Sequence, residues 1–375
     1  MATDRAPSAS ADPLYAAMDD HIPAGRKQLG RTLVLTASAA LALTALLQSL
    51  HRAGLVPFGF ETWRPVLYAY VVWALALGAG QVLTRGERGL RALFVLPAVL
   101  FTVAMVIFPT LFEIYIAFTD WNLSSFEGRK FNGLDNGAAM FRDSFYWNAM
   151  RNMVYYVLAV SVEYAIAFGL ALLLNAQIRA RKFFRIVFLM PLMLSPVAVS
   201  WMIGKSLMEY RFGPAATLAR QLGWESPAFF ASPEIARLSI MVMDGWTFIP
   251  FMMIMLLAGL QALPRDVLEA AKVDGASTWQ SFWKITFPLM LPVSITAVVI
   301  RVIFKLKLAD IVINVTAGGP GGATDTVTSF IFREYRDRSN VGYGSMLAVF
   351  YLVVIVIFVT VLLSLVTRHM RHKAA

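Results

Sequence analysis

Eight apolar runs, each nearly free of charged residues, alternate with charged segments along the chain. At about 1.5 Å per residue in a helix, each run is long enough to cross the roughly 30 Å of bilayer hydrocarbon. Backbone groups in lipid must pair internally, which favours helices. The pattern therefore predicts an all-α integral membrane protein with about eight transmembrane helices. The runs are residues 32–50, 66–83, 92–112, 153–174, 186–204, 238–263, 288–314 and 345–367.

The placement of the basic residues predicts the orientation of these spans. Four basic clusters fall on the same side of the membrane if every run crosses it, whereas the loops 118–151, 207–236 and 316–343 mix Arg with Asp and Glu. By the positive-inside rule, both termini are cytoplasmic and those three loops are external. The clusters are Arg26, Lys27 and Arg31; Arg85, Arg88 and Arg91; Arg179, Arg181, Lys182 and Arg185; and Arg368, Arg371 and Lys373.

Composition agrees with a bilayer protein and argues against a membrane enzyme. Hydrophobic residues make up 58% of the 375 residues and charged residues 15%, against roughly 25% charged in soluble domains. The net charge of +10 is mostly a topology signal and does not indicate nucleic acid binding. The chain has no cysteine, and its four histidines all lie outside the apolar runs. We therefore expect neither catalytic residues nor a metal site.

The chain is predicted to have an N-terminal part and a larger core. Residues 1–31 have the composition of a disordered cytoplasmic tail, and 32–83 form a transmembrane hairpin. The link TRGERGLR at 84–91 is the expected boundary before a six-helix core at 92–367, which ends in a basic cytoplasmic tail at 368–375.

The glycine-rich segment AGGPGGATDTVT at 317–328 raises the possibility of a phosphate-binding loop. A P-loop needs a preceding strand and a terminal Lys-Ser/Thr, which this segment lacks. Gly204-Lys205-Ser206 has that ending, but Val199 stands where such a motif needs glycine. We expect no ATP site and interpret 317–328 as a turn-forming loop that caps the seventh span.

A polar, alanine-rich segment separates the sixth and seventh spans on the predicted cytoplasmic side. Its sequence is LEAAKVDGASTWQSFWKITFPLMLP, residues 268–292. Strong helix formers predict a short helix at 266–273, a turn at Gly275, and a second short helix at 277–286 along the membrane surface. Two interpretations remain open on these residues alone. The segment is either an interfacial anchor or a docking element whose Glu269 and Asp274 pair with basic residues of a cytoplasmic partner.

Several segments resemble the permeases of binding-protein-dependent ABC importers. Glu269-Ala270-Ala271 and Asp274-Gly275-Ala276, followed by Phe282, Ile285, Pro288 and Pro292, look like the EAA loop of that family. The flanking WTFIPFMMIMLLAGLQALPRDVLEAAKVDGAS and TAGGPGGATDT are similar to carbohydrate importers of the maltose and glycerol-3-phosphate permease type. FVLPAVLFTVAMVIFPTLFEIYIAFTDWN and FNGLDN extend the resemblance over about residues 92–367.

The resemblance implies a type I importer core of six helices, preceded here by the two-helix hairpin, in a heteromeric inner-membrane complex. Its implied partners are a second, homologous permease, a homodimeric cytoplasmic ATPase, and a periplasmic or lipid-anchored solute-binding protein. This chain would bind no cofactor, because ATP and Mg belong to the partner ATPase. The loop at 266–287 would couple nucleotide state to transport through Glu269, Ala270, Ala271, Asp274 and Gly275.

Charged residues inside membrane spans are functional-site candidates, and this chain has six: Glu163, Asp244, Arg301, Lys305, Lys307 and Asp310. Asp244 lies 17 residues before Gln261, and Lys305 lies 17 residues after Pro288. Continuous neighbouring helices would place both groups about 25 Å above the cytoplasmic end, where they can meet. We expect Lys307 and Asp310 to pair with a neighbouring helix or with the partner permease, and Glu163 either to bond across helices or to line the pathway.

The resemblance to the maltose-type permeases places Asp244, Phe248, Phe251, Arg301, Phe304 and Lys305 at positions related to substrate contact. Thr247, which is level with Arg301, and the neighbouring Trp246 complete the candidate substrate pathway. This chain carries charges where those permeases have small or amide side chains. Three interpretations remain open: Arg301 and Lys305 hold an anionic ligand, they pair structurally with Asp244, or the group binds a neutral sugar or polyol directly. Trp246 is either a stacking platform or a packing residue, and Met252, Met253 and Met255 are packing or lipid-facing residues.

The sequence thus favours a permease subunit of an ATP-driven importer for a carbohydrate or polyol, with an anionic sugar derivative as the alternative solute. A membrane enzyme would need facing His, Asp or Glu clusters, and a membrane scaffold for an ATPase would need no polar groups within the bundle.

Overall fold

The computed structural model describes residues 22–126, 128–176 and 178–374, and within them the chain is helical apart from turns and isolated bridges. The helices are, in chain order, α1 (Ala24–Arg52), α2 (Arg64–Glu87), α3 (Gly89–Ala117), α4 (Asp135–Arg142), α5 (Ser144–Asn175), α6 (Arg181–Met193), α7 (Pro196–Leu207), α8 (Pro214–Gln221), α9 (Pro233–Ala262), α10 (Arg265–Val273), α11 (Thr278–Leu306), α12 (Asp310–Val315), α13 (Val327–Arg336) and α14 (Val341–Ala374).

Among the described residues, seven helices are long and apolar enough to cross a membrane, and the bent pair α6–α7 makes an eighth if it counts as one span. The prediction of an all-α membrane fold with about eight spans is confirmed. The fifth span is not the single helix expected at 186–204, because its two halves meet at 98°. Pro191 and Pro196 lack amide donors there, and the Ser195 hydroxyl caps α7 by accepting from the Ala198 amide at 3.2 Å.

The chain divides into two compact units, one ending at Phe112 and the other beginning at Glu113. In the first unit, α1 packs along α2, and the Trp73 indole donates to the Ser38 hydroxyl at 3.0 Å. Gly86 then adopts φ 54° and ψ −126°, a conformation that few residues but glycine adopt, and this breaks the chain between α2 and α3.

Both ends of the chain differ from the sequence prediction. The helix α1 begins at Ala24, although a disordered tail was expected to continue to residue 31, because Pro23 is followed by the good helix formers Arg26, Lys27 and Gln28. The first 21 residues of that tail lie outside the described part of the chain. At the other end, α14 continues through the expected basic tail to Ala374.

The second unit is built around α5, α9 and α11. The helices α5 and α9 pack side by side, and α11 packs against both. Two apolar clusters fill the interior. One includes Tyr156, Met243 and Val302, and the other includes Ala167, Met252 and Ala297. Along each of the three helices, a short stretch separates the residues of one cluster from those of the other.

The seventh span differs from its prediction at both ends. The helix α11 begins at Thr278 with a capping box formed by Ser277 and Gln280, so the short surface helix expected at 277–286 is continuous with the span. It ends at Leu306, and α12 is a separate helix, although a single span was expected at 288–314. The backbone oxygen of Leu306, left free by this break, accepts from the Tyr351 hydroxyl at 2.9 Å.

The glycine-rich loop after α12 forms hydrogen bonds with α5 and with the end of α11, at the predicted external end of this unit. The hydroxyls of Thr326 and Thr328 donate to the backbone oxygens of Leu308 and Leu306 at 2.5 and 3.3 Å, which agrees with the predicted capping of the seventh span. From α5, the Asn152 amide donates to the backbone oxygens of Gly322 and Asp325 at 2.9 and 3.0 Å. Side chains of the membrane helices thus satisfy backbone acceptors that the turns leave free.

Candidate functional site

Four charged side chains meet in the interior of the second unit. Glu163 projects from α5, Asp244 from α9, and Arg301 and Lys305 from α11, where the two basic residues lie one turn apart on the same face. We call these four residues the charge network. Glu163, Asp244 and Arg301 occupy the stretch that separates the two apolar clusters on their helices, and Lys305 lies one turn further along α11, between Val302 and Leu306 of the first cluster.

Each basic residue contacts both acidic ones. Arg301 Nε donates to Glu163 Oε2 at 2.7 Å, and Lys305 Nζ donates to Glu163 Oε1 at 2.7 Å. Arg301 Nη2 and Lys305 Nζ both pair with Asp244 Oδ2. Two cations and two carboxylates therefore form a closed set of charge-assisted hydrogen bonds whose formal charges sum to zero.

The network is almost completely removed from solvent. Arg301 and Lys305 are 0% exposed, Asp244 is 1% exposed and Glu163 is 4% exposed. Removing an ion from water costs several kcal/mol even after relaxation, so a buried ion is stable only with opposite charge and hydrogen-bond partners around it. The Arg301 guanidinium also lies 4.6 Å from the centre of the Phe248 ring. Its Nη1 has no hydrogen-bond acceptor among the described residues.

Helical spacing had predicted that Asp244 and Lys305 can meet, and the structure brings Asp244 to both Lys305 and Arg301. The sequence left the role of Glu163 open and did not place it in the candidate site. A charge count could have found it, because two buried cations on α11 require two buried acids and Asp244 supplies only one. Glu163 and Asp310 are the other carboxylates predicted to lie within spans, and Glu163 is near the middle of its span.

The remaining pathway candidates divide into packed and accessible side chains. Thr247 is buried and its hydroxyl donates to the backbone oxygen of Met243 at 2.9 Å. Phe304 is 38% exposed, and its ring centre lies 5.9 Å from that of Phe248 and 5.4 Å from that of Phe251. These three rings form an aromatic surface beside the network.

Two cavities open near these residues. One of about 280 Å³ is lined by Asp244, Phe248 and Phe304 together with Lys307 and Asp310. Lys307 and Asp310 were expected to pair with a neighbouring helix or with the partner permease. Neither forms an ion pair with any described residue, so the pairing with the partner permease stays a prediction.

The second cavity, of about 480 Å³, is mainly apolar and is lined by Trp246 together with residues of α7. Trp246 is 39% exposed. Met252 and Met253 are buried in an apolar cluster, as one of their two interpretations required.

The polar segment between the sixth and seventh spans forms α10 and a turn. Glu269, Ala270 and Asp274 are exposed, whereas Ala271 is buried against the rest of the unit. None of the described basic residues forms an ion pair with Glu269 or Asp274. The carboxylates of Glu269 and Asp274 are therefore available to a partner.

Gly275 ends α10 in a Schellman motif. The Ala276 amide donates to the Ala271 oxygen at 3.0 Å, and the Gly275 amide donates to the Lys272 oxygen at 3.1 Å. Gly275 has φ +74°, and a Cβ built there would meet nothing within 4 Å. Backbone conformation, rather than lack of space, is therefore what requires glycine at this position.

In the predicted external loop, Asp325 is 1% exposed and pairs with Arg333. Burial raises the pKa of Asp325 to about 6, although the Arg333 charge and the Ser329 hydroxyl, which donates at 3.1 Å, both oppose that rise. This carboxylate belongs to the packing of the loop.

Comparisons with known proteins show which family has this sequence and this arrangement of helices. A model of the family described as "Binding-protein-dependent transport system inner membrane component" matches residues 163–372. The sulfoquinovosyl glycerol transport system permease protein of Agrobacterium fabrum is 34% identical over 266 residues, which cover 70% of this chain and 86% of that protein. The trehalose/maltose transport system permease protein of Thermococcus litoralis is 30% identical over 279 residues, covering 74% and 94%.

Solved structures share the fold. A chain of a bacterial alginate ABC transporter, crystallised with an alginate pentasaccharide-bound periplasmic protein, superposes with a TM-score of 0.63 at 19% identity. The match covers 81% of this chain and 96% of that chain.

The helical bundle therefore has the fold of a transmembrane subunit of an ABC transporter. The chain belongs to the family of binding-protein-dependent transport system inner membrane components. The resemblance noted in the sequence is confirmed, and the chain is a non-catalytic permease component of an importer.

The charge network predicts a specific pattern of stabilities. In Arg301→Met, two buried carboxylates face a single ammonium, so we expect the free energy of unfolding to fall by about 3–5 kcal/mol. The double variant Asp244→Asn/Arg301→Met keeps the Glu163–Lys305 pair and restores charge balance, so we expect it to recover much of that loss. The measurement is the thermal unfolding of the purified subunit in detergent.

Lys307→Met is the matched control, because it removes one positive charge from an exposed residue of the same segment. We expect it to leave the unfolding midpoint almost unchanged. An Arg301→Met variant as stable as this control, or a double variant as unstable as its two single changes added together, would contradict the role of the network.

Proposed function

We propose that this chain forms half of the translocation pathway of an ATP-driven importer for a neutral carbohydrate or polyol. An external solute-binding protein delivers the solute, a second, homologous permease supplies the other half, and a homodimeric cytoplasmic ATPase binds ATP and Mg. The protein lies in the bacterial inner membrane with both termini in the cytoplasm. Membership of the permease family and the names of sugar-transporting relatives support this proposal.

The observation that carries the choice of a neutral solute is the closed charge network. Arg301 and Lys305 already pair with Glu163 and Asp244, so an anionic solute would have to compete with two buried carboxylates for the same donors. The cavity beside the network is lined by the Phe248 and Phe304 rings and by the acidic residues Asp244 and Asp310. Flat apolar faces with a few polar groups suit sugar rings and their hydroxyls.

An anionic sugar derivative is the second candidate. Its support is the relative from Agrobacterium fabrum, which is named for sulfoquinovosyl glycerol transport. The exposed Lys307 beside the same cavity is a cation that pairs with no described residue, and it could meet a sulfonate.

We further propose that α10 couples the permease to the ATPase. Glu269 and Asp274 present negative charge to basic residues of the ATPase, and the Gly275 turn sets the angle between α10 and the chain leading into α11. Because α9 and α11 flank α10 in the sequence and both hold members of the charge network, a displacement of α10 would reach the pathway through two continuous helices.

This coupling role predicts loss of transport without loss of insertion. We expect Glu269→Lys to abolish ATP-dependent uptake, because it places like charge against a basic surface. Gly275→Val should act in the same way, because a β-branched residue is strained at φ +74°. The measurement is uptake into proteoliposomes that contain the assembled complex, with membrane insertion checked separately.

Asp266→Lys makes the same charge change at another exposed position of α10 and serves as the control. It should retain most of the uptake. If Glu269→Lys and Gly275→Val imported solute as fast as the wild type, α10 would not be the coupling element.

The choice of solute predicts which compounds enter. With its binding protein present, the assembled complex should import a labelled neutral disaccharide or polyol in an ATP-dependent manner and should not import a sulfonated sugar. Phe304→Leu removes an aromatic face, worth about 1 kcal/mol, so we expect kcat/KM for the neutral solute to fall roughly fivefold. Phe358→Leu, on a 40% exposed side chain of α14, should have no such effect. Import of the sulfonated sugar alone would favour the second candidate.

A further inference from the structure

The basic segment at the start of α6 carries more positive charge than the described structure neutralises. Arg179, Arg181, Lys182 and Arg185 fall within seven residues. No described carboxylate forms an ion pair with any of them. Their positions were interpreted from sequence as a topology signal, which requires no particular geometry. Two of them nevertheless have a defined geometry.

Arg181 and Arg185 lie one turn apart and converge on Gln261, near the end of α9. Their Nη2 atoms lie 2.9 and 2.7 Å from the oxygen of the Gln261 amide, in the orientation that lets it accept from both. The Nε atoms of both arginines are buried and have no acceptor among the described residues. A buried donor without a partner has lost its hydrogen bond to water and gained none in return, which is unfavourable. Two such donors side by side indicate that an anionic acceptor belongs here.

A groove leads away from these arginines between α6 and α9. It encloses about 120 Å³, with Arg185 and Gln261 at one end and Leu189, Ile254, Leu257 and Ala258 along its length. From Gln261 to Ile254 the helix rises about 10 Å. The groove is therefore polar at the membrane-surface end of α9 and apolar toward the middle of the span.

Because one end of the groove is polar and the other is apolar, the possible ligands differ in how well they fit it. A free phosphate ion or an acidic side chain of a partner protein would satisfy the arginines but would leave the apolar part of the groove uncovered. A phospholipid satisfies both parts with one molecule. The outer face of α6 also presents Phe183 and Ile186, which are 61% and 66% exposed and suit contact with acyl chains. By the predicted orientation, this end of the groove faces the cytoplasmic leaflet, which is rich in anionic lipid in many membranes.

We propose that Arg181, Arg185 and Gln261 bind the headgroup phosphate of an anionic phospholipid whose acyl chain lies in the groove between α6 and α9. The site contains no residue of the charge network or of α10. It would fix the position of the bent α6–α7 pair, which a 98° break leaves without a continuous helical path across the membrane.

The test uses the assembled importer in nanodiscs that contain equal amounts of phosphatidylglycerol and phosphatidylcholine. Lipids retained by the complex are quantified by native mass spectrometry. We expect the wild type to retain phosphatidylglycerol preferentially. A hydrogen bond to a charged group contributes about 1.5 kcal/mol, or roughly tenfold, and each arginine makes such a bond to the phosphate, so the selectivity of Arg181→Gln/Arg185→Gln should fall by at least about tenfold.

Two further variants make the result specific. Arg179→Gln/Lys182→Gln removes the same charge from exposed neighbours and should leave most of the selectivity. Ala258→Phe leaves both arginines in place but fills the apolar part of the groove, and it should also reduce retention. The thermal unfolding midpoint of each complex shows whether the variant is folded.

Several outcomes would overturn the proposal. One is an equal loss of selectivity in both double variants, which would indicate only a diffuse surface potential. Another is competition by inorganic phosphate or by soluble glycerophosphoglycerol as effective as that of the whole lipid, which would indicate a free-anion site. The third is dissociation of the ATPase from Arg181→Gln/Arg185→Gln with unchanged lipid retention, which would make the pair a protein contact.

Discussion

The second unit depends on the neutralisation of two basic side chains buried in its interior. Arg301 and Lys305 are fully buried, and each is opposed by one carboxylate from α5 and one from α9. Because an unpaired ion in this interior would cost several kcal/mol, the three helices keep the relative rotation and depth at which all four groups meet. The apolar clusters on either side fill space, but many packings could do that. The ion pairs form in only one of these packings, and they therefore determine how the three helices pack.

The same constraint connects the middle of the bundle to its predicted cytoplasmic end. The helices α9 and α11 carry three of the four charged groups and continue to the two ends of the segment that contains α10. Under the proposed function, force from the ATPase enters at α10, and the charge network would make α5 follow. A closed, neutral network also leaves the nearby aromatic cavity, rather than the cations, as the place for an uncharged solute.

Much of this arrangement was predictable, and what was missed has physical reasons. The lengths of the apolar runs predicted the membrane spans. Asp244 and Lys305 are equally far in sequence from Gln261 and Pro288, and this predicted that their side chains can meet. Glu163 was left open because pairing across three helices is a tertiary property, visible in sequence only through the charge balance. The break in the fifth span has a local cause, because two prolines and a serine cap interrupt that apolar run. The early start of α11 is also local. A capping box begins the helix at residues that the hydrophobic pattern had assigned to a separate helix on the membrane surface.

The account would be tested most directly by electron cryo-microscopy of the assembled importer, without nucleotide and with a non-hydrolysable ATP analogue. If the charge network holds α5, α9 and α11 together during transport, Arg301 and Lys305 should stay within hydrogen-bond distance of Glu163 and Asp244 in both states. The helix α10 should move with the ATPase. An open network in either state, with Arg301 or Lys305 turned toward bound solute, would contradict this account and assign the two cations to substrate binding.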